Sequence, residues 1–186
     1  MATNAVPEVA ASTWSIDLAH SSLHFKVRHM AIAWVRGEFR IAGATLNWDA
    51  TNLKDSHVEV DIDARSVNTS QPQRDNHLRS DDFLDVEHFP SMHFQSTNFS
   101  RSGDVVMLSG KLTIRGVTRP VELRVSEISS PTRDPWGNLR LAASATATVN
   151  RKEYGLTWNT ALEAGGFLVG DEIFVDLDLE FMKGAA

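Results

Sequence analysis

Apolar and polar residues alternate along most of this chain. In SLHFKVRHM, residues 22–30, Leu23, Phe25, Val27 and His29 fall on one face and His24, Lys26 and Arg28 on the other, the period of a strand buried on one side. Val35, Phe39 and Ile41 oppose Arg36, Glu38 and Arg40 if a glycine or bulge near Gly37 shifts the register. Val58, Val60, Ile62 and Ala64 alternate with Glu59, Asp61, Asp63 and Arg65 without interruption. The run LSGKLTIRGVTRPVELRV predicts a hairpin turning near Gly116, with Leu112 and Ile114 on the same side as Val121, Leu123 and Val125. Near the end, IFVDLDLEF sets Ile173, Val175, Leu177, Leu179 and Phe181 against Phe174, Asp176, Asp178 and Glu180.

Long candidate strands cover about 22–30, 33–44, 56–65, 91–98, 104–115, 118–127, 138–149 and 172–182. Eight alternating strands with short turns indicate an all-β sandwich or a closed antiparallel barrel. Their length favours the barrel, because closure removes the long edges that such strands would expose. The strand LRLAASATATV, 139–149, is unusual in carrying Leu139, Leu141, Ala143, Ala145, Ala147 and Val149 on its apolar face. Three successive inward alanines leave room. Either a bulky Trp or Phe from the opposite wall fills the space, or the space is a tunnel for an apolar ligand, since eight strands enclose about enough for one.

One segment breaks the alternation. QRDNHLRSDDFLDVEHFP, 73–90, sets charges and histidines around Leu78, Phe83, Leu84 and Phe89 at near-helical spacing. Asp81, Asp82, Asp85 and Glu87 read as the acidic first turn of a helix capped by Ser80; an acid/base pair is the alternative. His20 and His24 share strand parity and His88 and His93 flank a proline, but neither pair has a third ligand nearby in sequence, so no metal site is expected. SGKLT, 109–113, lacks the earlier glycine and the Ser/Thr of a phosphate-binding loop. Neither a nucleophile elbow nor a dinucleotide fingerprint is present.

With 186 residues, 42% of them hydrophobic and 23% charged, the chain is long enough for one domain with a real core. A net charge of −6 argues weakly against nucleic acid or an anionic membrane as an obligate partner, an argument about the whole chain that leaves room for a local basic cluster holding one phosphate. The absence of cysteine excludes disulfides and thiol catalysis. MATNAVPEVAAS has neither a basic start nor an apolar core of signal-peptide length, and no stretch is long enough for an integral membrane segment. The expectation is a cytoplasmic protein as written, periplasmic or secreted if an export signal was removed. Asn68-Thr-Ser and Asn98-Phe-Ser match the glycosylation pattern but carry almost no weight without a secretory signal.

WSIDLAHSSLHFKVRHM, SVNTSQPQRDNHLRSDDFLDVEHFPSMHFQST, GKLTIRGVTRPVEL and YGLTWNTALEAGGFLVGDEIFVDLDLE occur in this order between Trp14 and Met182. Together they resemble the YceI-like family of lipid-binding proteins. The resemblance implies an eight-stranded antiparallel lipocalin-like β-barrel, residues 14–183, behind a flexible N-terminal segment, 1–13. It also implies short helical segments near 73–88 and 153–163 at the barrel mouth. The implied ligand is a polyisoprenoid or other long-chain lipid, with no cofactor and no catalytic residue, and a possible homodimer. The expected tunnel lining is Phe25, Val27, His29, Phe39, Ile62, Leu78, Phe83, Phe94, Leu112, Ile114, Leu123, Leu141, Ala143, Ala145, Ala147, Trp158, Phe167, Leu168 and Leu177. Arg74, Arg79 and Arg151 are the expected head-group cations, because guanidinium pairs bidentately with phosphate. Where the family often shows an SRSDFGL-like stretch, this chain has NRKEYGL, 150–156. Two other readings stand beside the carrier. One is an enzyme using His29 or the 73–90 carboxylates; the other is a solid barrel serving structure or protein interaction.

Overall fold

A computed structural model describes residues 12–49, 51–103, 105–162 and 165–183. In chain order the strands are β1 (Ser12–Ile16), β2 (Ser22–His29), β3 (Ala33–Trp48), β4 (His57–Asn68), β5 (Ser91–Ser102), β6 (Val105–Ile114), β7 (Val117–Ile128), β8 (Thr132–Arg133), β9 (Leu139–Asn150) and β10 (Val169–Lys183). Eight of them close a ring in the order β2-β3-β4-β5-β6-β7-β9-β10, because β10 pairs with both β9 and β2. Every neighbouring pair is antiparallel. The expected all-β barrel is therefore present, at the expected strands.

β1 continues the stave that β2 leaves off. It pairs with β10 through Ser15 and Met182 and with β3 through Ser12 and Trp48. Ser12 and Thr13 thus belong to the sheet rather than to the expected N-terminal segment; residues 1–11 of that segment lie outside the described residues. The indole of Trp14, 0% exposed, plugs this end of the barrel and donates to Ser12 Oγ at 2.8 Å. Phe99, Val106, Leu141 and Phe181 are buried with it. This end is closed.

The register correction falls on β3. Gly37 faces Phe25 in unbroken pairing with β2, while against β4 the register shifts between Glu38 and Arg40, beside Gly37 as expected. A second slip lies further on, between Ile41 and Gly43. It moves the inward parity from Val35, Gly37, Phe39 and Ile41 to Ala44, Leu46 and Trp48. The β6–β7 hairpin turns at Arg115-Gly116, with both φ angles positive at 49° and 72°, the twist that a two-residue hairpin turn needs.

The opposite end carries the irregular segments. Helix α1 runs Pro72–Arg79, shorter than the expected 73–88, and turns follow it. Its N-cap is Gln71, whose side chain accepts from the Arg74 N–H at 2.8 Å. Ser80 ends the helix instead of starting one: its Oγ donates to the His77 carbonyl at 2.8 Å. In place of the expected helical segment at 153–163 there is a 3-10 turn at Arg151–Tyr154, and residues 155–162 are not helical; residue 163 lies outside the described residues.

Candidate functional site

The barrel encloses a cavity of about 680 Å³. The alanine ladder of β9 forms one wall of it, with Ala143, Ala145 and Ala147 between Leu179, Leu177 and Val175 of β10 and Ile128, Val125 and Leu123 of β7. The three alanines keep open surface towards that space. Two phenylalanines lie along their own wall. Phe25 covers Gly37, where an added Cβ would come within 2.5 Å of the ring, and Phe94 covers Gly110, where it would come within 2.3 Å. Each ring thus occupies the space of the missing side chain of a glycine on the neighbouring strand and lies against its own wall of the lumen. Phe39 packs against Phe25 with centroids 5.2 Å apart.

Many lining residues are only partly buried, among them Val35, Phe39, Leu112, Val121, the three alanines and Val175. In a filled core such inward apolar residues would be fully covered. Their open surface faces the lumen. A solid, packed interior is therefore excluded.

Polar lining residues gather at the end that carries α1. They are Arg28, His29, Thr69, Gln71, Gln73, Arg74, His77, Arg151 and Tyr154. No Asp or Glu lines the cavity among the described residues, which removes the 73–90 carboxylates as an acid/base pair acting on its contents. Asp82 instead lies 2.7 Å from His77 Nε2 and Asp85 2.8 Å from His88 Nδ1. The Asp85 carboxylate raises the His88 pKa above its usual value.

Two caps meet over this mouth. One is α1 with its following turns, between β4 and β5; the other is made by residues 155–162 and 165–168, between β9 and β10 on the opposite side of the ring. His77 and Phe83 from the first reach Trp158 from the second, with centroids 4.7 Å and 5.3 Å away. The first cap is fixed by Asp75, a buried carboxylate that accepts from the Thr69 N–H at 2.9 Å and from its hydroxyl. Arg74 Nε donates to Thr69 Oγ1 at 2.7 Å and Nη2 to Thr69 O at 2.8 Å.

The expected lining residues lie on the cavity wall with one exception. Phe167 is 59% exposed and points outward, with the Lys152 ammonium 5.6 Å from its ring. Alternation could not place it, because it sits in a loop. The cations separate more sharply. Arg74 lines the mouth. Arg79 does not: its guanidinium donates to the carbonyls of Arg65 at 2.7 Å and Val67 at 2.6 Å and ties α1 to β4. Arg151 is 4% exposed and spends its donors on the carbonyls of Leu156 (2.5 Å), Trp158 (2.9 Å) and Gly170 (2.9 Å). Burial pulls its pKa down while nearby Asp171 opposes this. It pins the second cap rather than a free ligand site. Residues that periodicity missed include Trp48, Gln71, Gln73, Met92 and Tyr154. Trp48 Nε1 is buried without a hydrogen-bond partner among the described residues.

Asp17, His20 and Glu180 converge outside the cavity closely enough to resemble a metal cluster. The Arg140 guanidinium already occupies that position, bonded to Asp17 at 2.6 Å, to Asp134 at 2.9 Å and to Glu180. The arginine, with help from His20, holds the Asp17 carboxyl down at about 2.

A closed antiparallel barrel with one apolar lumen, capped at a polar mouth, defines a barrel of the kind that encloses hydrophobic ligands. The chain belongs to the YceI-like domain family, whose pattern it matches over residues 14–181. It is 35% identical over 138 residues to Protein YceI of Salmonella newport, covering 74% of this chain and 72% of that one. Among solved structures it resembles BcnA of Burkholderia cenocepacia, with a TM-score of 0.76 at 18% identity over 89% and 98% of the two chains. It also resembles a polyisoprenoid binding domain from Saccharophagus degradans, with a TM-score of 0.64 at 16% identity over 92% and 98%. At these identities the structural likeness concerns the fold.

Proposed function

We propose that the protein binds a long-chain amphiphile, a polyisoprenoid, in the barrel lumen and stores or transports it without chemical conversion. The observation that carries this is the distribution of polarity: a cavity of about 680 Å³ that is apolar along its depth and polar only at the capped mouth. A hydrocarbon chain matches the depth and a polar head matches the mouth. Enclosing roughly 500 Å² of hydrocarbon at about 25 cal/mol per Å² gives on the order of 12 kcal/mol gross, of which ordering the chain takes back much. The name of the Saccharophagus relative, a polyisoprenoid binding domain, supports isoprenoid over straight acyl cargo. Arg74, whose Nη1 makes none of the described hydrogen bonds, is the head-group cation of this reading.

The test is mass spectrometry of an organic extract of the purified protein, followed by reloading of the stripped protein. Stoichiometric isoprenoid is the expected result. An empty extract together with no uptake of polyprenol on reloading would sink the proposal, and turnover of the bound lipid would transfer it to an enzyme.

A further inference from the structure

We propose that the mouth end of the barrel docks on an anionic lipid bilayer, inserting the turn at residues 30–32 together with Phe167 and setting Lys26, Arg28 and Arg36 against the headgroups. The apolar tip comes first. The β2–β3 connection reads Met30-Ala31-Ile32, with Ile32 79% and Met30 39% exposed, and Phe167 stands beside it in the neighbouring loop. The Met30 N–H donates to the Leu168 carbonyl at 2.9 Å, so the backbones that carry the two apolar projections meet.

The backbone of this tip is costly for the residues it holds. Met30 and Ala31 have φ of 52° and 59°, and the Ile32 N–H closes the turn on the His29 carbonyl at 3.1 Å. Glycine or asparagine adopts that conformation with less strain and hydrates better. Exposed Met30 and Ile32 gain little from packing within the fold. An apolar turn held against both local preference and solvation implies an apolar surface outside the protein.

Charge selects the kind of surface. Lys26, Arg28 and Arg36 alternate along the outer face of β2 and β3 beneath the tip, with Arg28 also bordering the cavity mouth, and none takes part in a described salt bridge. They form a local basic collar on a chain of net charge −6. The Arg28 guanidinium lies 4.0 Å and Lys26 Nζ 5.3 Å from the Trp34 ring centroid. Phe174 meets that indole edge-on at 5.4 Å. At about 3.3 Å per residue, the Arg28–Trp34 rung lies within roughly 10 Å of the tip, the depth of an interfacial insertion. An indole flanked by cations suits the headgroup layer. A narrow apolar point with a basic collar fits a bilayer better than a flat protein face. His29, Leu168 and Val169 join the tip to the lumen, so a docked barrel presents its mouth to the acyl layer.

Docking requires only these residues; its link to cargo loading rests on the proposed carrier function. The experiment is flotation of the full-length protein with phosphatidylcholine vesicles, with and without phosphatidylglycerol. Binding should require phosphatidylglycerol and fall with salt. Ile32→Asp combined with Phe167→Ser should weaken partitioning at least about tenfold, and Ile32→Trp should strengthen it. Lys26→Gln with Arg36→Gln should cost about fivefold per charge on the anionic vesicles. None of these positions lines the cavity, so the organic extracts of the same variants read the carrier function separately. Absence of wild-type binding to the anionic vesicles overturns the proposal. So does a loss on Trp136→Ser, 78% exposed at the closed end, that Ile32→Asp does not match.

Discussion

Replacing Ala145 by leucine tests the lumen most directly. Ala145 lies opposite Val125 of β7 and Leu177 of β10, at the middle of the ladder, and its methyl faces the cavity. The substitution adds three carbons, each about the size of a water at roughly 30 Å³, or about 90 Å³ in all. Against a lumen of about 680 Å³ this fits without displacing a wall. In a packed core the same change would cost about 1–3 kcal/mol, a drop of roughly 2–12 °C in melting temperature for a chain of this size. Here the delipidated variant should melt at or above wild type, since the new side chain gains contacts in empty apolar space. The ligand should suffer. Losing room for about three carbons at about 0.8 kcal/mol each removes roughly 2 kcal/mol of binding, some 30- to 60-fold in affinity. The assays are calorimetric melts of stripped protein and displacement titration with a polyprenol. A variant destabilised by several degrees, or one that binds the full-length chain as tightly as wild type, would refute the tunnel along β9.

Other consequences follow from the same contacts. Arg151→Met should leave the carbonyls of Leu156, Trp158 and Gly170 short of donors and cost about 2–4 kcal/mol, weakening diphosphate and alcohol forms of the lipid alike. Arg74→Met should weaken the diphosphate selectively, and equal losses in paired titrations would make Arg74 structural too. Gly110→Ala should destabilise by about 1–3 kcal/mol, because the new Cβ meets the Phe94 ring; Phe94→Leu should restore only part of it in denaturant melts, since the Gln95 carbonyl stays 2.7 Å away. Arg140→Gln should lower stability at neutral pH. Asp17 and Asp134, both held at about 2 rather than 3.8, the second against its own desolvation, stabilise the fold above pH 3.8. That contribution disappears as the pH falls towards 2, so the gap between wild type and variant in acid melts should close over this range.

The period of two along the chain settled eight strands, their inward faces and the alanine ladder, because alternation is a local property that each strand writes for itself. Arg115-Gly116 was legible for the same reason: a two-residue turn carries its own chemistry. Whether the ladder faced a void was not legible. That depends on Phe25 and Phe94 folding onto Gly37 and Gly110, contacts made between strands whose pairing no periodicity states. The three arginines were equal as sequence and unequal in the fold. Arg79 and Arg151 sit where strand and loop carbonyls lack partners, and a buried carbonyl claims the nearest guanidinium, while Arg74 stops at the mouth. The slip at Gly43, which reverses the parity of β3, is likewise decided by the partner strand. Local pattern determined which residues turn inward; only tertiary packing decided how much space they leave and which polar groups remain to meet a ligand.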